Sequence, residues 1–182
     1  MHAEIIDFLN KAKFDSGLGE QRLSVIEFGS YIINDSARDV FSKSSSCYTG
    51  VDWRAGEGVD VVCFAHEYER PESVPHHEVG VCCQVLEHDP YWQKTVTKLF
   101  DCVTEIPGKT AWLFITCAGP GYPVHELETA PLVNGEPYYC NVSTDEIEGV
   151  LLSHASLKKR SVTLHKEYKR GTLDSLVWAR IE

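Results

Sequence analysis

Glu27, Gly29 and Asp52 have the types and spacing to hold a small charged ligand. The apolar run Leu23–Phe28 carries Glu27 near its carboxyl end, and Gly29 follows at a turn. A carboxylate at the end of a buried run is costly unless something pairs with it. Gly29 removes a side chain where a ligand approaches the backbone. A second run, 48–53, carries Asp52 near its end, 23 positions past Gly29, about the interval at which a doubly wound fold offers a carboxylate to a ribose. The two oxygens of a carboxylate can accept both hydroxyls of a diol. His76 and His77 with Cys82 and Cys83 offer metal-ligand types, but neighbouring residues on a strand face opposite ways. No metal is expected, and no Cys-x-x-Cys pair supports a structural zinc.

These residues need a sheet to position them. The sequence predicts an amphipathic helix over 3–12, with 1–22 forming a helix and linker, then strands over 23–28, 48–53, 59–64, 79–86 and 110–117. A short helix is expected over 36–41, after a longer turn, and a serine-rich loop over 43–47. A longer helix starts with Asp89 as N-cap and Pro90 in the first helical position, ending near Glu105. Residues 118–141 are irregular and rich in proline and glycine. A helix over 144–154, capped by Ser143 or Thr144, leads into alternating strands over 161–168 and 173–181 joined as a hairpin. Strands separated by helices or loops imply a parallel sheet. The expected fold is α/β, one Rossmann-like domain over 1–182, mostly parallel, with helices on both faces and a C-terminal antiparallel hairpin.

At 182 residues the chain is long enough for a substantial core, and 43% hydrophobic with 24% charged residues is ordinary for a globular protein. A net charge of −10 counts against a nucleic-acid backbone as the main partner. No run approaches a membrane span, and the N-terminus lacks the pattern of a signal peptide. Seven cysteines, an odd number, several inside apolar runs, suit reduced thiols in the cytoplasm.

In this order the runs resemble a class I S-adenosylmethionine-dependent methyltransferase, and more narrowly the type 11 group. Val-Ile-Glu-Phe-Gly-Ser (25–30) matches the first family motif and Tyr-Thr-Gly-Val-Asp-Trp-Arg (48–54) the second. Residues 59–66 resemble the third, and Gln-Val-Leu-Glu-His-Asp-Pro (84–90) the stretch after the fourth strand. Residues 107–116 match the turn and strand that follow. The resemblance spans roughly 23–155 and implies S-adenosylmethionine as cofactor.

It also implies roles. Glu27 attracts the methionine ammonium, and Gly29 and Ser30 lie against the cofactor. Asp52 takes the ribose, and Trp53 or Arg54 covers the adenine. Ala65 and His66 meet the adenine edge, and Gln84 lies near the methionine part. The transferred methyl points toward the ends of the fourth and fifth strands. His88 and His125 are therefore the candidate proton acceptors, with 118–141 as a lid over a small-molecule acceptor, methylated on oxygen or nitrogen. Two positions depart from the family: Gly29 stands alone in its turn, and Phe64 replaces the acid that reads adenine. They keep open a second reading, a non-catalytic binding or interaction protein on the same fold. The Gly-x-Gly-x-x-Gly of a nicotinamide oxidoreductase is absent.

Overall fold

The apolar runs become the inner strands of one sheet in the computed structural model, which describes residues 3–19 and 21–182. Met1, His2 and Glu20, within the expected N-terminal helix and linker, lie outside the described residues. The strands are β1 (Leu23–Phe28), β2 (Ser45–Asp52), β3 (Val61–Val62), β4 (Val79–Cys83), β5 (Ala111–Ala118), β8 (Val162–Lys169) and β9 (Asp174–Ile181), with β6 (Leu132–Val133) and β7 (Glu136–Pro137) in a separate hairpin. The sheet order is β3-β2-β1-β4-β5-β9-β8. The first five strands are parallel, and β9 is antiparallel to both β5 and β8. The mostly parallel sheet with a closing antiparallel hairpin is as expected.

Strand alternation divides the core. Val25, Trp112 and Phe114 face α1 (Ala3–Asp15) and α2 (Arg38–Phe41), where they pack with Ile5, Leu9 and Phe41. Ile26, Leu113 and Ile115 face the opposite side and pack with Leu99, Phe100 and Leu151 of α3 (Trp92–Val103) and α4 (Thr144–Lys158). The buried positions Val96, Leu99, Phe100 and Val103 of α3 follow the i, i+3, i+4, i+7 spacing of a helix face. Ser143 caps α4 with a full capping box to Glu146.

Several boundaries differ from expectation for local reasons. The serines of 43–47 do not all form a loop: β2 starts at Ser45, which pairs with Leu23 before a register shift. The third strand shrinks to two residues because Asp60 leaves the ladder. Its carboxylate takes the Gly50 amide at 2.7 Å and the Arg38 guanidinium at 3.0 Å. The fourth strand stops at Cys83 because Gln84 adopts φ 57°, and a 3-10 turn, Leu86–His88, follows. Asp89 and Pro90 precede α3, whose N-cap is Tyr91. The Asp89 carboxylate still serves the opening turn, accepting from the Tyr91 amide at 2.7 Å and from the Thr95 hydroxyl.

The chain leaves β1 toward β2 and β3, then crosses back to β4 on the other side of β1. That reversal leaves a crevice beyond the carboxyl ends of β1 and β4, where open α/β sheets bind ligands. No described helix is long and apolar enough to cross a membrane. All seven cysteines are free thiols, with Cys82, Cys83, Cys102 and Cys117 buried.

Candidate functional site

A cavity of about 210 Å³ opens at this crevice, with Glu27, Asp52, Trp53 and Phe64 in its wall on one side and His88 and His125 on the other. Gly29, Ser30, Ala65 and Gln84 also line it. His66 does not: its ring packs against Tyr91, with centroids 4.6 Å apart. The remaining candidates, drawn from five separate stretches of sequence, thus meet at one cavity.

Gly29 sits at φ 80°, in the left-handed region that favours glycine. A β-carbon there would come within 2.0 Å of Val85 Cγ2. The turn is therefore closed against the segment following β4, a second reason for glycine beyond ligand approach. Its amide and that of Ser30 both donate to the Val51 carbonyl, at 2.8 and 3.1 Å.

Glu27 is buried, and its Oε2 accepts from the Tyr48 hydroxyl at 2.8 Å. Burial pushes its carboxyl up to about 7, against the pull of Tyr48 and of Arg38. Arg38 stacks over the Tyr48 ring at 4.4 Å. Asp52, also buried, accepts from the Arg54 amide at Oδ1 (2.8 Å) and the Tyr31 amide at Oδ2 (3.3 Å). These two amides orient the carboxylate at the cavity rim, and each oxygen retains a further lone pair. Beside it, the half-exposed rings of Trp53 and Phe64 lie parallel, 2° apart in plane with centroids at 6.0 Å. Arg54 stacks over Tyr31 at 4.5 Å. This is an aromatic, cationic wall suited to a flat heterocycle.

On the opposite side, Gln84 turns toward β5 and β9, with Nε2 3.4 Å from Thr116 Oγ1 and 3.3 Å from Asp174 Oδ1. His88 lies edge-on to His125 at 5.1 Å and to Tyr139 at 5.3 Å. Burial, with His125 nearby, lowers His88 to about 4, so its ring is neutral at physiological pH. Residues 118–141 fold as a strap, tied down by the Cys140 amide to the Glu87 carbonyl (2.8 Å) and the Tyr168 hydroxyl to the Pro120 carbonyl (2.6 Å). Glu126, in this strap, also has positive φ, 51°. Two non-glycine residues with left-handed backbone at one cavity, Gln84 and Glu126, fit the tendency of strain to gather at functional sites.

Sequence reasoning did not assign a role to Glu87, which is 0% exposed behind His88. Burial pushes its carboxyl up to about 8, only partly opposed by the nearby backbone amides of Glu87 and Ala118. Its position inside the 84–90 motif was the available signal. The 31–36 loop, which lines the cavity beside Asp52, was also missed. The histidines and cysteines near 76–83 do not converge on one point among the described residues. His76 pairs with Glu105, while His77 is held between Ser24 (3.3 Å) and Tyr68 (3.2 Å).

No protein-family model matches the sequence, and no curated protein matches it. Solved structures do. The plantazolicin methyltransferase BamL, in complex with a triazolic desmethylPZN analog and SAH, is 13% identical with a TM-score of 0.61, covering 97% of this chain and 83% of its own. An S-adenosylmethionine-dependent methyltransferase from Mesorhizobium loti is 12% identical, TM-score 0.56, covering 94% and 97%. The N-methyltransferase NodS from Bradyrhizobium japonicum WM9 is 9% identical, TM-score 0.56, covering 98% and 96%. At these identities the likeness shows the fold: the chain has the class I S-adenosylmethionine-dependent methyltransferase fold.

Proposed function

We propose that the protein is an S-adenosylmethionine-dependent methyltransferase acting on an oxygen or nitrogen of a small-molecule acceptor. The observation that carries this reading is the convergence of Glu27, the Gly29 turn and Asp52 with the parallel Trp53 and Phe64 rings around one crevice at the β1/β4 switch point. The donor set fits the cofactor: a carboxylate for an ammonium, a carboxylate for a diol, and aromatic faces for an adenine. When bound, S-adenosylmethionine supplies an activated methyl group on a sulfonium. The chain itself then has to orient an acceptor and exclude water.

Glu27 and Asp52 hold the two polar ends, and Gly29, Ser30 and Ala65 bring backbone close between them. Gln84, braced on Thr116 and Asp174, closes the methionine side. The strap covers the acceptor side. There His88 and His125 are the side chains placed to take a proton, if the acceptor must lose one.

The test is transfer of labelled methyl from S-adenosylmethionine into a metabolite extract, with S-adenosylhomocysteine and NAD titrated calorimetrically alongside. Methyl incorporation and S-adenosylhomocysteine binding are expected. NAD binding without S-adenosylhomocysteine binding overturns the reading. Binding without any transfer supports the alternative, a non-catalytic protein on this fold, which the lone Gly29 and Phe64 favour.

A further inference from the structure

Glu87 has no part in the mechanism above, yet its surroundings ask for one. It stands on the 3-10 turn after β4, 0% exposed, and no side-chain donor among the described residues reaches its carboxylate, which has only the nearby backbone amides of Glu87 and Ala118 beside it. A buried carboxyl left this way is costly. We propose that Glu87, His88 and His125 bind one first-row divalent metal ion.

The ligand atoms of these three residues all lie within 4.8 Å of one another, from two elements that only the tertiary fold brings together. His88 Nδ1 is also buried without a partner among the described residues. His125 is oriented for the task. Its Nδ1 lies 3.1 Å from the Pro123 carbonyl, which can only accept, so the tautomer with the proton on Nδ1 satisfies that carbonyl and leaves the Nε2 lone pair for an ion. The Tyr139 hydroxyl lies 3.2 Å from both the Pro123 carbonyl and His125 Nδ1 and braces the ring. A backbone carbonyl on the distal nitrogen is the usual support of a metal-ligating histidine.

The ligand chemistry selects the ion. Two imidazoles and one carboxylate favour manganese, iron, cobalt or zinc over magnesium or calcium, which prefer all-oxygen sites. Three protein ligands leave coordination positions open, as in catalytic centres. His88 and His125 line the cavity, so those positions face the acceptor side. An acceptor hydroxyl bound there gives its proton to water more readily, and its oxygen is left as the nucleophile. The imidazoles are then ligands, and the favoured acceptor is an alcohol or phenol oxygen. This consequence rests on the methyltransferase reading; metal binding itself does not.

The test uses the full chain, stripped of metal. Mn²⁺ binding is measured by electron paramagnetic resonance, and Co²⁺ binding by visible absorption. One Mn²⁺ per chain is expected, retained in millimolar Mg²⁺, with a Co²⁺ spectrum of nitrogen and oxygen ligation. His125→Ala, on the strap and away from the core, should weaken Mn²⁺ by at least about tenfold while circular dichroism stays native. Glu87→Gln should do the same with its shape conserved. No stoichiometric Mn²⁺ or Co²⁺, displacement by Mg²⁺, thiolate charge-transfer bands, or an unchanged affinity in a folded His125→Ala overturns the inference. S-adenosylhomocysteine titrated into the same samples separates the two readings. Its binding without metal sinks only the metal site, and metal without it sinks only the cofactor assignment.

Discussion

Asp52 holds a loop and faces a cavity at once. Its oxygens accept the Arg54 and Tyr31 amides, and the same carboxylate stands at the rim where a diol would bind. Asp52→Ala should weaken S-adenosylhomocysteine by about 1–3 kcal/mol, the scale of hydrogen bonds to a charged group, which calorimetry reads directly. An unchanged dissociation constant in a folded variant leaves Asp52 as a loop cap only. Glu27 makes a pH prediction. Burial holds its carboxyl near 7, so it is mostly neutral at pH 6 and mostly ionised at pH 8. A ligand ammonium favours the ionised form, so binding draws the proton off and affinity should rise with pH. The expected gain is up to about tenfold between those values, flattening above. Glu27→Gln should abolish the slope, and a flat wild-type profile removes Glu27 from the ammonium side.

At the level of elements, β1 and its turn were legible because their signals are local: six residues with an apolar pattern, then glycine. The reason for the glycine was less so. Val85 fills the space a β-carbon would take, and φ is 80°. Gly29→Ala should therefore destabilise the fold by roughly 2–4 kcal/mol, from overpacking together with left-handed backbone. Denaturant midpoints check this, and Gly29→Ala combined with Val85→Ala should recover part of the loss. Full additivity of the two changes argues that they do not meet. The shortening of the third strand was not legible, because Asp60 leaves the ladder for partners at Arg38 and Gly50 that spacing does not reveal.

Across the whole molecule, His77 ties β1 to the loop before β4 through Ser24 and Tyr68. Burial lowers its pKa to about 4 from an unfolded 6.5. The folded state therefore binds the proton less well. His77 contributes stability that is full above about 6.5 and is lost as pH falls toward 4, about 3 kcal/mol in all. Glu27 and Glu87 act with the opposite sign, since their folded values, about 7 and about 8, lie above the unfolded ones. The informative measurement is the difference between wild type and His77→Asn in urea at pH 7.5 and pH 4.5. The wild type should lose more stability than the variant over that interval. Equal losses show that His77 is charged in the folded state or does not titrate with folding.

The sequence by itself determined the α/β pattern, the parallel strands with their closing hairpin, and the acidic strand ends at Glu27 and Asp52. Apolar runs and turn residues act over a few neighbours, and that information is complete in the chain order. The tertiary structure decided what meets across long separations. It set Trp53 parallel to Phe64, turned His66 onto Tyr91 and out of the cavity wall, and placed Gln84 against Asp174, 90 residues away. It also brought Glu87 and His88 beside His125. Those contacts depend on strand order, on the left-handed turn at Gln84 and on the path of the strap. None of these is written in the spacing of the residues they join, because each is settled by packing between elements and not within one.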